Sequence, residues 1–303
     1  MTTWTREDIP NQSGRVVVVT GANAGLGREI ARSLALAGAT VVMACRNSSK
    51  AEACRSALLE ESPSSKLDVV ELDLASLDSV GRAASEITER FGSIDLLINN
   101  AGLMATDFER TDDGFELQFG VNHLGHFAFT LDLLPAMRQT GVSRVVTMSS
   151  MGHRMGRMNF VDLNVEHHRY NRWSAYFQSK LANILFAREL DRRLVEAGSS
   201  VRSLAAHPGA SNTDLGSEGG GVTNRAFMRL VPLATQSAEV GAFPLLRAAT
   251  DPTAGGGTFF GPRWIYAGRL PVEETPSRRA RNIKDARRLW EISERLTGRT
   301  FSL

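Results

Sequence analysis

Short apolar runs rich in β-branched residues recur at 15–20, 39–44, 66–72, 94–99, 144–149 and 201–206. They are nearly continuous rather than alternating, the pattern of parallel strands covered on both faces. Between them the apolar period lengthens to 3.6, as in 26–37, where Leu26, Ile30, Leu34 and Ala37 share a face, and in 175–194. Strand and helix in alternation predict a doubly wound α/β sheet of about seven strands with helices on both faces. No repeat and no linker rich in Pro, Ser or Gly divides the chain. It is therefore read as one domain, with residues 1–13 as an arm, 211–233 as a substrate lid and 263–303 as a C-terminal extension. The extension carries ten Lys/Arg against five Asp/Glu. Interspersed acids make it a solvated closing helix rather than a polyanion site.

Composition narrows the function classes. The 303 residues are 42% apolar and 22% charged, which excludes a disordered or fibrous chain. A net charge of +2 gives no footprint for nucleic acid or an anionic membrane. Two cysteines, Cys45 and Cys54, cannot build a disulfide framework and suit a reducing cytosol. No apolar run reaches the ~20 residues of a membrane span, and no signal peptide is visible, so a cytoplasmic location is expected. Neither metal-ligand spacing nor a G-x-S-x-G elbow occurs.

The first strand runs into Thr20-Gly21-Ala22-Asn23-Ala24-Gly25-Leu26-Gly27, followed by a helical pattern. Glycines there let the backbone approach a pyrophosphate at a helix N-terminus, although their spacing differs from G-x-G-x-x-G. At the end of the second strand, where a carboxylate would read a free ribose, the chain has Arg46. A guanidinium suits a 2′-phosphate, which favours NADP over NAD while leaving NAD possible. Asp73-Leu74 and Asn100-Ala101-Gly102 follow strands three and four at the ligand edge. The carboxylate suits an adenine amino group, and the small residues let a ring and ribose lie against the backbone.

Tyr176 and Lys180 stand one helical turn apart. An ammonium beside the phenol, with an oxidised nicotinamide, would lower a pKa that is ordinarily near ~10. Ser149 and Ser150 end strand five, where a hydroxyl can hold a substrate oxygen. Asn122 falls in mid-helix, where an amide is unfavourable unless it kinks the helix or holds a water. His123 and His207 are read as packing residues. Pro208 and Gly209 follow strand six, and the Thr213 hydroxyl is placed to meet a carboxamide.

Taken together, Thr20-GANAGLG, Asn99-NAG, Asn122, Ser150, Tyr176-FQSK and His207-PG resemble the short-chain dehydrogenase/reductase family. Ala44-CRN, Val121-NHLGHFAF and 179–194 are similar to its retinol-dehydrogenase and WW-domain-oxidoreductase branch. The resemblance implies a Rossmann-type domain and a tetrad. Tyr176 is then the general acid or base, Ser150 orients the carbonyl, Lys180 tunes the tyrosine and holds the nicotinamide ribose, and Asn122 helps hold a relay water. Ser150 is preferred to Ser149 as the second of its pair. Tyr176 and Lys180 also count among the cofactor contacts, with Gly21, Gly25 and Gly27 on the pyrophosphate, Asp73 on the adenine and Asn100 on the adenosine ribose. Twenty-six positions separate Ser150 from Tyr176, an excursion over 153–173 that disfavours a tetramer and leaves a monomer or homodimer.

The expected activity interconverts an apolar alcohol and a carbonyl by hydride transfer. Apolar Phe227, Met228, Leu230 and Val231 in the lid motivate the substrate class. Reduction of a carbon–carbon double bond, as in protochlorophyllide reductases, and a non-catalytic NADP sensor are the alternatives.

Overall fold

The computed structural model describes residues 4–140, 142–209, 237–264 and 267–303. Each of the six apolar runs forms a strand: β1 (Val16–Thr20), β2 (Thr40–Cys45), β3 (Lys66–Glu71), β4 (Leu96–Asn99), β5 (Arg144–Met148) and β6 (Arg202–Ala206). Two more follow, β7 (Phe259–Trp264) and β8 (Ala267–Glu273), so the described residues hold eight strands rather than about seven. Their order is β3-β2-β1-β4-β5-β6-β7-β8, parallel throughout except for β8, which runs antiparallel to β7. The last two carry Pro262 and Pro271 facing each other in register. Pro271 is on the edge strand and Pro262 lies beyond the Phe259–Phe260 pairing with β6, so neither breaks the ladder, but both break the apolar run by which a strand is recognised.

Helices α1 (Gly25–Leu36), α2 (Ser48–Glu61) and α3 (Leu77–Phe91) form the first crossovers. A short α4 (Leu117–Phe119) leads through a widened turn over Gly120–Leu124 into α5 (Gly125–Leu133), and α6 (Arg172–Glu196) precedes β6. Beyond the sixth strand lie α7 (Ala238–Thr250) and α8 (Ile283–Thr297). One apolar layer joins Ile30 and Leu34 of α1 to Leu245 and Leu246 of α7 beneath the sheet. The opposite layer joins Ile87 of α3, Phe127 and Phe129 of α5, and Trp290 of α8.

The C-terminal helix is more than a solvated cap. Only part of its surface is wet, because Leu289 and Trp290 are 1% exposed against α6. The indole stacks on Phe186 at 5.9 Å and meets Phe127 edge-on, with the Arg193 guanidinium 4.5 Å above it. Burying such a ring is worth roughly 4 kcal/mol by area. Basic residues of α8 occupy the exposed face and masked this apolar one in the composition.

Carboxyl ends of β1, β2, β4, β5 and β6 all lie along one edge of the sheet, because these strands are parallel. That edge carries the candidate site.

Candidate active site

Gly21 leaves β1 with φ +65°, and a Cβ there would sit 3.0 Å from the Ala101 Cβ. Gly27, in the first turn of α1, is tighter still. A Cβ on it would lie 2.1 Å from the Gly21 carbonyl oxygen and 2.6 Å from Asn100 Nδ2. Backbone therefore packs against backbone where β1 turns into α1, leaving a groove of about 250 Å³ over the helix N-terminus. Its floor includes Gly21, Asn23, Gly25, Leu26 and Gly27 from the turn. Arg46 lines it from the end of β2, Asp73 and Leu74 from beyond β3, and Asn100, Ala101 and Gly102 from beyond β4. All eleven groove residues expected at these positions thus come together. Leu72, Leu103 and Val121 also line the groove and carry no motif by which to find them.

The residues fit a dinucleotide. Asn100 donates through Nδ2 to the Thr20 carbonyl at 2.8 Å, while its buried Oδ1 has no protein partner. An acceptor of that kind at a groove wall suits a hydroxyl-bearing ligand. The free N–H groups and partial positive charge of a helix start suit phosphate. Arg46 is exposed at the rim.

A second wall of the site is built from buried side chains. The Asn171 side chain caps α6 by accepting from the backbone of Trp173 and Ser174, which sets Tyr176 just inside the helix. Tyr176 is 8% exposed and Lys180 3%. The lysine Nζ lies 5.9 Å from the phenol ring centre. Burial raises the Tyr176 pKa, opposed by hydrogen bonding to the Ser150 hydroxyl, which favours the phenolate. Burial lowers the Lys180 pKa to about 8. Burial therefore disfavours both charged forms and, at Tyr176, outweighs the Ser150 hydrogen bond; the expected lowering of the phenol pKa includes the positive charge of a bound oxidised nicotinamide.

Two adjacent serines end β5 with different partners. Ser149 is buried and its hydroxyl donates to the Lys180 carbonyl at 2.7 Å. Ser150 is half-buried, caps the short turn Met151–Arg154 by accepting from the Gly152 N–H, and bonds the phenol. His153 Nδ1 donates to the Ser150 carbonyl at 2.8 Å, and its pKa is pushed down to about 4 by burial. It is a neutral brace.

Asn122 sits where the helix widens, with Gly125 N–H bonded five residues back to Gly120. Such π-turns often mark functional sites. This is the distortion expected of an amide in mid-helix. Its Oδ1 accepts from Leu103 N–H at 2.7 Å, and Nδ2 donates to the Leu103 carbonyl and to Ser179 Oγ, both at 2.9 Å. A Cβ on Gly102 would lie 3.0 Å from Asn122 Oδ1 and 3.1 Å from Lys180 Nζ. The groove, the amide and the ammonium therefore converge at one point.

Pro208 and Gly209 follow β6 at the same edge, where Gly209 N–H donates to His207 Nδ1. His207 and His123 are buried packing residues, as expected, and His207 Nε2 lies 3.2 Å from Glu274. Thr213 and the 211–233 segment lie outside the described residues. The 153–173 excursion folds onto α6, with Gly156 against Phe177 and Tyr170 Oη donating to the Thr106 carbonyl. Residue types along the sequence give no sign of His126 or Ser179, and none of the linking roles of Thr20 and Ser149. Only the four-residue interval from Asn122 to His126 offered a signal.

The short chain dehydrogenase family model matches residues 15–220. The chain belongs to that family. As a short-chain dehydrogenase it is an oxidoreductase, and its fold is the family's. It is 38% identical over 291 residues to human retinol dehydrogenase 13, covering 94% of this chain and 85% of the relative. Mouse polyprenol dehydrogenase is 42% identical over 294 residues, covering 96% and 86%. A solved structure of an uncharacterised protein from Mycobacterium paratuberculosis matches with TM-score 0.84 and 46% identity over all of both chains. A Burkholderia cenocepacia short chain dehydrogenase solved with NADP matches in fold, with TM-score 0.66 and 23% identity over 86% and 99%. Among the described residues of this short-chain dehydrogenase, no helix is long and apolar enough to cross a membrane.

Proposed function

We propose that the protein is an NADP-preferring oxidoreductase that interconverts an alcohol and a carbonyl on an apolar substrate. The observation that carries this reading is a buried phenol, bonded to a serine hydroxyl and one turn from a buried amine, at the end of a phosphate-suited groove. The nicotinamide would supply or accept hydride. Tyr176 then gives its proton to the carbonyl oxygen during reduction and takes one from the alcohol during oxidation. The Ser150 hydroxyl, already directed at the phenol, holds that same oxygen as charge develops on it. Lys180 offers a positive charge in a site where little water screens it, and Asn122 holds the backbone that joins groove to amine.

Arg46 supports NADP over NAD, because the strand-end sequence Ala44-Cys45-Arg46-Asn47 puts a guanidinium where an NAD-reading site has an acid. The apolar substrate class is supported by relatives named for retinol and polyprenol.

The test is NADPH oxidation against a panel of long-chain and isoprenoid aldehydes and ketones. Turnover is expected with NADPH at least about tenfold better than with NADH, given the strength of a charge-assisted phosphate contact. Tyr176→Phe is expected to lose about a thousandfold in kcat while keeping NADPH affinity, within the range of general acid catalysis. Undiminished turnover in that variant overturns the reading.

A further inference from the structure

His126 is 1% exposed, yet each of its ring nitrogens meets one part of the site. Nδ1 lies 3.2 Å from the main-chain carbonyl oxygen of Asn122. Since a carbonyl only accepts, Nδ1 carries the proton. Nε2 is then the acceptor, and it lies 2.9 Å from Thr20 Oγ1. The Thr20 hydroxyl must point its hydrogen at His126, because Oγ1 accepts the N–H groups of Asn100 and Ala101, both at 2.9 Å. Every donor and acceptor in this chain has one role. Burial pulls the His126 pKa down to about 3, with the Lys180 charge acting in the same direction, so the ring stays neutral over the working range.

We infer that His126 is a positioning residue that locks the dinucleotide groove to the catalytic wall in one register. It does so by donating to the Asn122 carbonyl and accepting from Thr20. The inference rests on the function proposed above, since it assigns the Asn122 end to turnover. Thr20 ends β1 and fixes the first residues beyond β4, which floor the groove. Asn122 fixes Leu103 and Ser179, and Ser179 Oγ donates to the Tyr176 carbonyl at 2.8 Å. The imidazole thus ties the Thr20 end of the groove to Asn122, whose side chain bridges Leu103 and Ser179, and it does not line the groove.

The two ends can be cut separately. Asparagine carries an amide nitrogen near the Nδ1 position of histidine, and glutamine carries an amide oxygen near the Nε2 position. His126→Asn keeps the donor to Asn122 and loses the acceptor for Thr20. His126→Gln does the reverse. NADPH dissociation constants come from fluorescence titration of the full chain, and kcat is measured at saturating NADPH.

His126→Asn is expected to weaken NADPH binding about five- to tenfold, with kcat falling less. His126→Gln should lower kcat about five- to tenfold, with NADPH affinity nearly kept, the size expected of one lost hydrogen bond. Equal losses in both parameters for both variants, or no loss in either, overturn the inference.

A second measurement holds even if neither variant folds. Ring nitrogen NMR of the histidine-labelled wild type should show His126 as a non-titrating Nδ1–H tautomer, and an Nε2–H tautomer overturns the assignment. Failure of the parent reading looks different: Tyr176→Phe would keep its turnover while the split in NADPH affinity between the two His126 variants persisted.

Discussion

The two walls of the site solve opposite problems. The groove over α1 is built largely from backbone, with glycines bringing one peptide against another beneath the start of the helix. Little in it is titratable, and Arg46 at its rim is exposed. The wall formed by β5 and α6 is built from buried side chains, and burial moves the pKa values of Tyr176, Lys180 and His153. A cofactor needs shape and partial charge, which backbone supplies at low desolvation cost. Proton transfer needs a group that can be charged or neutral, and only a side chain held away from water can be tuned that way. The groove should therefore break by sterics, and the wall by electrostatics.

Gly27→Ala tests the first half of that contrast and carries the largest expected effect on cofactor binding. Its methyl group would lie 2.1 Å from the Gly21 carbonyl oxygen and 2.8 Å from the carbonyl carbon, and neither can yield without moving the turn. NADPH affinity is expected to fall at least about a hundredfold, since backbone placement is what brings the turn up to the pyrophosphate. Fluorescence titration measures this, and affinity within threefold of wild type would show that the turn is not the phosphate cradle.

The adjacent serines test the second half at smaller scale. Ser150→Ala should lower kcat about a hundredfold, as for loss of one donor to a developing oxyanion, with the melting temperature nearly unchanged. Ser149→Ala removes the donor to the Lys180 carbonyl instead. It should cost about 1 kcal/mol of stability and only a few-fold in kcat. If the two variants exchange profiles, Ser149 is the residue that faces the substrate.

These contrasts also explain what could be read from the chain beforehand. Strands β1 to β6 were legible because a buried parallel strand is apolar on both faces. β7 and β8 are not, since Gly261, Pro262 and Pro271 interrupt the run; Pro262 is tolerated because β6 pairs with β7 only at Phe259 and Phe260, and Pro271 because β8 is the edge strand. The groove residues were legible one by one because glycine spacing and strand-end position report on backbone. Of the wall, Tyr176, Lys180 and Ser150 are legible as residue types, but the extent of their burial is not. Spacing along a helix says that two groups are neighbours, whereas a pKa depends on how much water the fold removes from both. The linking roles of Thr20, His126 and Ser179 are not legible for a related reason. Each acts by joining segments distant in sequence, and that leaves no local pattern.

A change of stability with pH at Lys180 separates tuning from stability. Lys180 titrates at about 8 in the folded protein against an ordinary 10.5. Below pH 8 both folded and unfolded chains carry the charge, and the folded one bears the whole cost of keeping it dry. Between 8 and 10.5 the folded amine releases its proton first, so stability rises with pH across that window. Lys180→Met keeps the length of the stem and removes the charge. At pH 7 the variant should therefore be more stable than wild type, by on the order of 1–3 kcal/mol, and that advantage should vanish as the pH passes 10.5. Urea denaturation at pH 7, 9 and 10.5 follows the trend. Turnover should fall sharply in the same variant, because the charge that destabilises the fold is the one the phenol needs. A Lys180→Met protein that is less stable at pH 7 than at 10.5, relative to wild type, would mean that the ammonium is held by partners rather than stripped of water. The wall would then resemble the groove in its physics, and the contrast between them would be one of composition alone.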